Sequence, residues 1–398
     1  MSELLTKVKE NLILDHSADD GLIERFITAA VSYAESYQHI PAGYYSENAM
    51  PATTEQAVIM LASHFYESRD GSTGGFFADN VQAGQQVWNT VNLLLLLWAF
   101  KRRSKSFIIP LLALIPSFFF IGRYVQLSSE KVEDQPVSGE VVKILNWNVG
   151  RFALHDSDAG INSKSQCVDS VFSFIREQDP DIICLQEFSI ANVEKVREYL
   201  KHRFKDYTAE YYLFPEAGNS FGNLTLSRLP VEGKGRIRFE ESANLAIYTD
   251  HVAGDRHFRI YNCHFESYNI SMTGLVRAMA MRDSTVMAQT GTKVKRSITR
   301  RPRQVDQVFE DIENCPVDAF VCGDFNDNPM SYTYYRMTRD RKDAFVEAGK
   351  GFGATYSLLW PMLRIDYVLF PENGRAISHQ IPRVPYSDHY PVITEIEI

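Results

Sequence analysis

A series of short apolar runs between Val141 and the C-terminal Ile398 constrains the fold of this chain more than any other feature. Each run is rich in Val, Ile, Leu, Phe or Tyr, is too short for a typical helix, and is bounded by polar residues, glycine or proline, as expected for strands. Many short strands with few helices between them predict an α/β domain of two packed sheets covered by helices. The runs span 141–147, 181–187, 211–215, 223–228, 245–250, 258–266, 319–326, 364–370 and 391–398.

The first ninety residues differ from the rest in charge and in pattern. They hold four basic and twelve acidic residues, whereas the remainder is almost neutral, so nucleic-acid contact by this part is disfavoured. Apolar residues recur at helical spacing after an Asp/Ser-rich start at 15–20, and again over 53–67. The pattern predicts an all-helical module over residues 1–90.

Residues 1–37 and 57–71 resemble the tailed-phage head–tail connector family. The resemblance implies a small helical protein that assembles into rings, and so a homo-oligomer formed through residues 1–90. The alternative is a generic helical bundle. The change of texture near 88–93 indicates a fusion of two unrelated pieces, made by evolution or by design.

Residues 107–125 form an apolar run about as long as a membrane-spanning helix. The run holds no acidic residue, and Arg123 lies only near its end. A second run at 91–100 is too short to span alone, and the basic cluster at 101–105 between the two runs is typical of a cytoplasmic flank. We therefore expect a membrane segment at 91–125 whose main span is 107–125. The N-terminal module would lie in the cytoplasm and the C-terminal domain outside it.

Two further expectations concern the same region. Residues 126–140 are polar, contain Pro136 and Gly139, and predict a linker to the domain at 141–398. The alternative to the membrane span is a buried core helix with two prolines, in which case the chain would be soluble.

Polar side chains follow several predicted strands at the point where each strand ends. Glu187 closes the run at 181–187, and Asn148 follows the run at 141–147. Hard divalent cations prefer oxygen ligands and keep several waters, so one or two carboxylates suffice to bind them. Either residue alone is more often an ordinary polar group at a strand end.

Asp324 and Asn326 are two residues apart at the end of the run at 319–326. If strand geometry continues, both side chains point the same way and together hold a water and a phosphoryl oxygen. The alternative is an Asx turn that ends the strand.

Two histidines follow the same pattern. Asp388 and His389 precede the last run, and Asp366, within the run at 364–370, is placed to orient the His389 imidazole and raise its basicity. Asp388 is placed to reach a metal. His264 ends another run, where a lone histidine is usually a hydrogen-bonded core residue.

These residues lie in motifs that resemble, in order, those of the endonuclease/exonuclease/phosphatase superfamily, which has the DNase I-like fold. The resemblance covers 141–398 and implies a four-layered α/β sandwich, dependence on Mg²⁺ or Mn²⁺, and direct attack of water on phosphorus. The motifs are NWNVGRF (146–152), LQEF (185–188), GNLTLSRLP (222–230), CHFES (263–267), GDFNDNPMSYTY (323–334), RIDYVLF (364–370) and SDHYPV (387–392).

The resemblance assigns roles at matching positions. Asn148 and Glu187 match the amide and the carboxylate of the metal site, and Asp388 matches the acid beside the metal. Asp324 matches the residue that activates or orients water, with Asn326 as its partner at the phosphate.

The histidines are assigned in the same way. His264 matches a phosphate-binding histidine, and Asp366 matches the aspartate paired with His389. Arg151 and Asn223 are candidate phosphate or substrate contacts. Glu266 lies near the position of an acid that pairs with the first histidine in some nucleases, but the motif does not support it.

The expected reaction is hydrolysis of a phosphodiester, with nucleic acid first and a phospholipid headgroup or small phosphate ester as the alternative. Residues 293–303 hold six basic residues that would grip a polyanion, or else form a solvated loop before a helix beginning near Pro302. A third possibility gives the dominant role to residues 1–90, as a structural connector.

Overall fold

We describe the chain from a computed structural model. The residues that it describes divide between two compact units, Met1–Asn80 and Val81–Ile398. They are 2–12, 17, 19–38, 40–41, 43–67, 101–102, 107–108, 111, 121–126, 137–154, 161–216, 219–240, 242–268 and 284–398.

The first unit is helical, as predicted. Its helices are α1 (Ser2–Leu12), α2 (Asp20–Tyr37), α3 (Tyr44–Glu47) and α4 (Ala52–Glu67). Ile23 and Ile27 of α2 pack with Val58 and Ala62 of α4 in a small apolar core. Asp19 takes the cap position of α2 without a side-chain bond to the helix, and it accepts a hydrogen bond from the Tyr66 hydroxyl instead. The end of the predicted helical module, from residue 68 onward, and the apolar run at 91–100 lie outside the described residues.

The second unit contains the predicted strands and several more. Its strands are β1 (Val125–Gln126), β2 (Val141–Asn148), β3 (Ile182–Ile190), β4 (Thr208–Glu216), β5 (Asn219–Ser227), β6 (Val231–Arg238), β7 (Leu245–Ala253), β8 (Arg256–His264), β9 (Asp318–Asp324), β10 (Arg341–Asp343), β11 (Gly351–Phe352), β12 (Asp366–Pro371), β13 (Arg375–Gln380) and β14 (Val392–Glu397). Its helices are α5 (Lys164–Gln178), α6 (Val196–Arg203), α7 (Ser284–Glu313), α8 (Tyr332–Met337) and α9 (Ala344–Ala348). The strands β6 and β13 were not predicted, because β6 alternates charged residues with glycine and β13 is mostly polar.

Two six-stranded sheets pack face to face. The first has the order β13-β14-β2-β3-β5-β4, and the second has the order β10-β12-β9-β8-β7-β6. Apolar side chains such as Ile144 and Cys184 from the first sheet meet Ile260 and Val368 from the second in a shared core. Helices α5 and α6 cover the outer face of the first sheet through a second core. The predicted α/β architecture of two sheets flanked by helices is therefore confirmed.

Strand register brings the predicted site residues to one end of both sheets. Within the first sheet β2 and β3 are parallel, and Asn148 pairs with Gln186. Within the second sheet β8 and β9 are parallel, and His264 pairs with Asp324. Parallel neighbours end at the same edge, so polar residues that follow each strand converge there. The antiparallel strand β12 begins at this edge, with Asp366 opposite Asp324.

The end of the run expected to span the membrane contacts this domain. Arg123 Nη1 donates to the Pro329 carbonyl at 2.9 Å, and the Tyr124 hydroxyl donates to Asn328 Oδ1 at 3.0 Å. Val125 then pairs with Phe352 in the short ladder between β1 and β11. Residues 123–125 therefore lie on protein, which corrects the expected boundary of the span. No helix within the described ranges is both long and apolar enough to cross a membrane.

Most of the expected span and linker cannot be compared with the fold. Residues 109–110, 112–120 and 127–136 lie outside the described residues. The linker's last part is held by β14: the main-chain N–H groups of Ser138 and Gly139 donate to Glu397 Oε1 at 2.6 and 2.8 Å. These two bonds, together with a bond from the Arg375 guanidinium, lower the pKa of Glu397 to about 2.

Candidate active site

Asp324 lies at the centre of the convergent polar groups. It ends β9 and is 1% exposed. Its Oδ2 accepts from Asn148 Nδ2 at 2.8 Å and from Asn326 Nδ2 at 3.2 Å, and its Oδ1 accepts from the Asn326 main chain. The preceding Gly323 has a φ of 146°, and a Cβ there would lie 1.9 Å from the Cys263 carbonyl oxygen. Only glycine fits where β9 passes so close to β8.

Two histidines face this carboxylate. The Nε2 atoms of His264 and His389 lie 3.7 and 3.9 Å from Asp324 Oδ2. On its other side, His389 Nδ1 is 2.9 Å from Asp366 Oδ2. The predicted pairing of Asp366 with His389 is therefore present. It fixes the ring so that Nε2 points toward Asp324.

Burial and neighbouring charge set the ionisation of this group. Burial raises the pKa of Asp324 to about 6, against the opposing effect of the positive charge on His389 and His264. Burial alone would lower the pKa of His389, but the carboxylates of Asp366 and Asp324 outweigh it and raise the pKa to about 10. At neutral pH the site thus presents a cationic imidazole beside a carboxylate that can accept a proton.

Glu187 and Asp388 lie at the more open side of the site. Glu187 Oε1 is 3.4 Å from Asn148 Nδ2 and 3.8 Å from His264 Nε2. Both carboxylates line a cavity of about 250 Å³ together with Gly150, Ala153, Leu154 and Ser387. Glu187 has a φ of 51° at a bulge in β3, a left-handed backbone that is uncommon for residues other than glycine.

The donor set fits a divalent cation at Glu187 and Asp388. Two carboxylates that line one open cavity, with the Asn148 side chain 3.4 Å from Glu187, supply the oxygen donors that Mg²⁺ and Mn²⁺ prefer. Asp324, Asp366 and His389 also offer atoms within 4.8 Å of one another. That trio suits a cation less well, because a protonated imidazole has no free lone pair for a metal.

Arg151 and Asn223, the two candidate substrate contacts, lie in different places. Arg151 Nε is 3.5 Å from Glu187 Oε2, at the rim of the site. Asn223 is fully buried, and its Nδ2 donates to the main-chain carbonyls of Leu245 and Asn262. The structure places the Asn223 amide between the two sheets, which it ties together below the site.

A buried polar layer under the site was not predicted. Gln186 Nε2 donates to Asn146 Oδ1 at 2.8 Å and to Asn262 Oδ1 at 2.7 Å, and these three residues are fully buried. The sequence signal that could have predicted this layer is the presence of Asn and Gln inside otherwise apolar runs. Ser387 was also missed: its hydroxyl donates to the Asn148 carbonyl and accepts from the His389 N–H, which fixes the loop that carries Asp388.

Glu266 and the basic stretch have structural partners. Glu266 Oε2 accepts from Ser242 Oγ and Gln304 Nε2, which places this carboxylate with α7 and the loop before β7. The stretch at 293–303 is helical and lies inside α7, with Pro302 in the helix interior, so the alternative of a solvated loop before a helix near Pro302 is wrong. Arg301 of this stretch is buried and contacts Asp327 at 3.1 Å.

The comparisons with known proteins agree with this geometry. The model of the endonuclease/exonuclease/phosphatase family matches residues 145–389, and that of the phage gp6-like head-tail connector protein matches residues 2–87. No curated protein is similar to the chain.

Similar solved structures include three of low identity. The endonuclease/exonuclease/phosphatase from Beutenbergia cavernae is 17% identical, with 65% of this chain and 72% of that chain covered and a TM-score of 0.47. The one from Bacteroides vulgatus is 18% identical, with 65% and 99% covered and a TM-score of 0.48. The human Nocturnin catalytic domain with bound sulfate is 15% identical, with 66% and 96% covered and a TM-score of 0.47.

The family match spans more than half of the chain and includes every strand end that forms the site. The chain therefore belongs to the endonuclease/exonuclease/phosphatase family and is a hydrolase that acts on phosphodiester bonds.

Proposed function

We propose that the C-terminal domain hydrolyses nucleic-acid phosphodiesters by direct attack of water, with Mg²⁺ or Mn²⁺ as its cofactor. One observation carries the proposal: a buried carboxylate, Asp324, faces two histidines and two amides next to the Glu187 and Asp388 carboxylates. This arrangement supplies a base, a cationic phosphate contact and a cation site within one cluster.

Each residue has a role that follows from its contacts. Asp324 accepts the proton of the attacking water, and Asn148 and Asn326 hold its carboxylate in place. His389 donates from Nε2 to a phosphoryl oxygen while Asp366 holds its other nitrogen. His264 Nε2 lies 3.7 Å from the same Asp324 oxygen that His389 faces, and it contacts the same phosphate. A cation held by Glu187 and Asp388 would neutralise charge on the phosphoryl oxygens.

Two features support nucleic acid as the first substrate class. Lys293, Arg296 and Arg303 present exposed side chains along α7. Arg151 adds a further guanidinium beside Glu187. Phosphate backbones bind to such arrays through charge. A phospholipid headgroup remains the alternative substrate, because one phosphate ester suffices for the site itself.

Cleavage of plasmid DNA by the full chain tests this proposal. We expect Mg²⁺-dependent nicking that Asp324→Ala abolishes and Asp255→Ala leaves intact, because Asp255 lies in the turn between β7 and β8, at the far end of the sheet. Release of phosphocholine from sphingomyelin vesicles, without DNA cleavage, would replace the nucleic-acid proposal with the lipid alternative.

We also propose that the part of the apolar run before Arg123, at 107–122, anchors the chain in a membrane, with the catalytic domain outside the cytoplasm. Support comes from an exposed apolar side chain beside the end of the run: Phe352, which pairs with Val125, is 50% exposed. Alkaline carbonate extraction of the expressed chain tests this, and release into the supernatant would contradict it.

For residues 1–90 we propose self-association. The match to the connector protein model supports it, and so do the exposed Tyr33, Tyr37 and Met60, which are 61%, 77% and 61% exposed. Light scattering of the full chain should show discrete oligomers that Tyr37→Lys disrupts. A monomer at all concentrations would sink the proposal.

A further inference from the structure

A cleft runs between the last strands of the two sheets. β4 ends the first sheet and β6 ends the second. At one end of the cleft is a cavity of about 730 Å³, a size typical of sites that take a nucleotide or a molecule of similar size. Its lining residues are Phe214, Pro215, Phe221, Arg238, Phe239, Glu240, Ser242 and Ala243.

The cavity lies next to the catalytic centre on both sheets. On the first sheet, the Arg151 guanidinium lies 3.7 Å from the centre of the Phe221 ring and reaches Glu187. On the second sheet, Ser242 and Ala243 come just before Leu245, which pairs with His264. A group bound in the cavity would therefore be a neighbour of a phosphate held at Glu187 and His264.

Aromatic rings form the floor and wall of the cavity. Phe221 and Phe239 are 9% and 4% exposed, and Phe239 is stacked on Phe265 with ring centroids 6.0 Å apart. Phe214 is half-buried, and its ring centroid is 6.2 Å from that of Phe221. Such rigid aromatic surfaces bind flat rings, including every nucleobase, by stacking.

The rim of the cavity is cationic. Along β6, Lys234, Arg236 and Arg238 alternate on the exposed face. Lys234 pairs with Glu210, whereas no carboxylate of the described residues lies within ion-pair distance of Arg236 or Arg238. The Arg236 and Arg238 guanidinium groups lie 4.6 and 5.6 Å from the Tyr212 ring centroid.

Charge decides between two ligands that aromatic residues bind. A choline headgroup also binds aromatic rings, but Arg238 at the rim would repel its positive charge. A nucleotide strand carries flat bases, which can stack on the aromatic floor, and negative phosphates, which can pair with the cationic rim. Glu240 is an opposing charge on the lining, and it would repel the same phosphates.

We propose that this cavity and the adjoining face of β6 form a binding subsite for single-stranded nucleic acid. The base next to the scissile phosphate stacks on Phe214, and the phosphates beyond it contact Arg238 and Arg236. The location of the scissile phosphate rests on the proposed function.

Binding without turnover tests the subsite. Fluorescence anisotropy of the full chain in EDTA would compare a labelled thymidine decamer with a decamer of abasic residues. We expect the thymidine decamer to bind about tenfold more tightly, because stacking adds to charge. Phe214→Ala should remove this preference and leave abasic binding unchanged, and Phe214→Trp should restore it.

The charged residues give a second set of expectations. Arg238→Ala should weaken both decamers and reduce the slope of log K against log salt by about 0.7, the value for one lost contact to a single strand. Glu240→Gln should tighten both decamers. Arg256→Ala is the matched control, an exposed arginine at the opposite end of the same sheet, and should change neither.

The outcomes separate this subsite from the proposed function. Equal binding of both decamers, or no effect of Phe214→Ala in a folded variant, overturns the subsite even if Asp324-dependent cleavage of DNA is found. Displacement of the thymidine decamer by phosphatidylcholine vesicles would also overturn it. Base-dependent binding without any Asp324-dependent cleavage would support the subsite and refute the nuclease proposal.

Discussion

At the residue scale, environment rather than residue type sets the chemistry of the site. Asp324 and Asp366 are both buried aspartates in register on neighbouring strands, yet their partners differ. Asp366 contacts the imidazole of His389 directly, whereas Asp324 receives two amides and lies almost 4 Å from each histidine. Asp366 is therefore suited to hold the cationic His389 imidazole in place, and Asp324 is suited to exchange a proton.

The pH profile of the enzyme should report Asp324 first. A base must be ionised to accept a proton, and burial raises the pKa of this group to about 6. We expect kcat/KM to rise with pH up to about 6 and then to level off. Initial rates on a DNA substrate between pH 5 and 9 would check this. A flat profile down to pH 5 would contradict the assignment of Asp324 as the base.

Deprotonation of His389 should set the alkaline limb of the pH dependence of kcat/KM. Its pKa of about 10 depends on Asp366, and activity is lost as the cation deprotonates with rising pH. Asp366→Asn should lower that pKa, so the alkaline limb should move toward neutral pH, with a loss of roughly 100-fold in kcat/KM. Asp366→Glu is the control that keeps the charge. An unshifted alkaline limb in Asp366→Asn would remove His389 from the mechanism.

At the scale of elements, close packing of β8, β9 and β12 positions the site. The carbonyl of Cys263 on β8 occupies the space where a side chain at Gly323 of β9 would begin. The end of β10 is held by a buried pair, in which Arg364 contacts both carboxylate oxygens of Asp343 at 2.8 and 2.5 Å. The same guanidinium donates to the Arg123 carbonyl, so this pair also secures the segment before β1.

Gly323→Ala should therefore be strongly destabilising. Its Cβ would meet backbone at 1.9 Å, and the φ of 146° is strained for any L side chain. We expect a loss of roughly 3 kcal/mol or more in the free energy of unfolding. Gly351→Ala is the matched control, because it has a φ of 75° but no atom within 4 Å, so it should cost only about 1 kcal/mol. Urea unfolding would compare the two.

The buried ion pair predicts a second large loss. Arg364→Met leaves the Asp343 carboxylate buried without its partner, which typically costs about 3–5 kcal/mol. Arg339→Met, at an exposed pair with Glu313, should cost less than about 1 kcal/mol. Equal losses in urea unfolding would show that the Arg364 pair contributes no more than a surface pair.

At the scale of the whole molecule, histidines buried away from the site make the domain sensitive to acid. Burial lowers the pKa of His251 to about 4 and that of His379 to about 3, from an ordinary value of 6.5. The unfolded chain binds protons below pH 6.5 while the folded chain does not, so stability is full above pH 6.5 and falls as the pH drops toward these values.

Replacing one of these histidines should make the free energy of unfolding depend less steeply on pH. Below pH 6, His379→Gln should reduce the fall in unfolding free energy by about 1.4 kcal/mol for each pH unit. Urea unfolding at pH 7.5, 6.0 and 5.0 would measure it. His257→Gln, at an exposed histidine, is the control and should leave the slope unchanged. An unchanged slope in His379→Gln would show that this residue is already protonated in the folded chain.

The sequence by itself determined the architecture and most of the site. Runs of alternating or continuous apolar residues define strands because a sheet buries its faces at a period of two, and this is a local property. Asp324, His389 and Glu187 were identified as site candidates because they are polar residues next to the ends of such runs, which is also a local property.

Only the tertiary structure decided how these groups work. Asn223 and Asn326 look alike in the sequence, but one lies between the sheets and the other contacts Asp324. The basic residues at 293–303 lie within helix α7, and Arg301 is buried against Asp327. Burial, ion pairing and the cleft beside β6 depend on strands distant in sequence. A local sequence pattern does not predict those contacts. Residues such as Arg238 and Phe214 could therefore be recognised as candidate binding residues only from the positions of the two sheet edges.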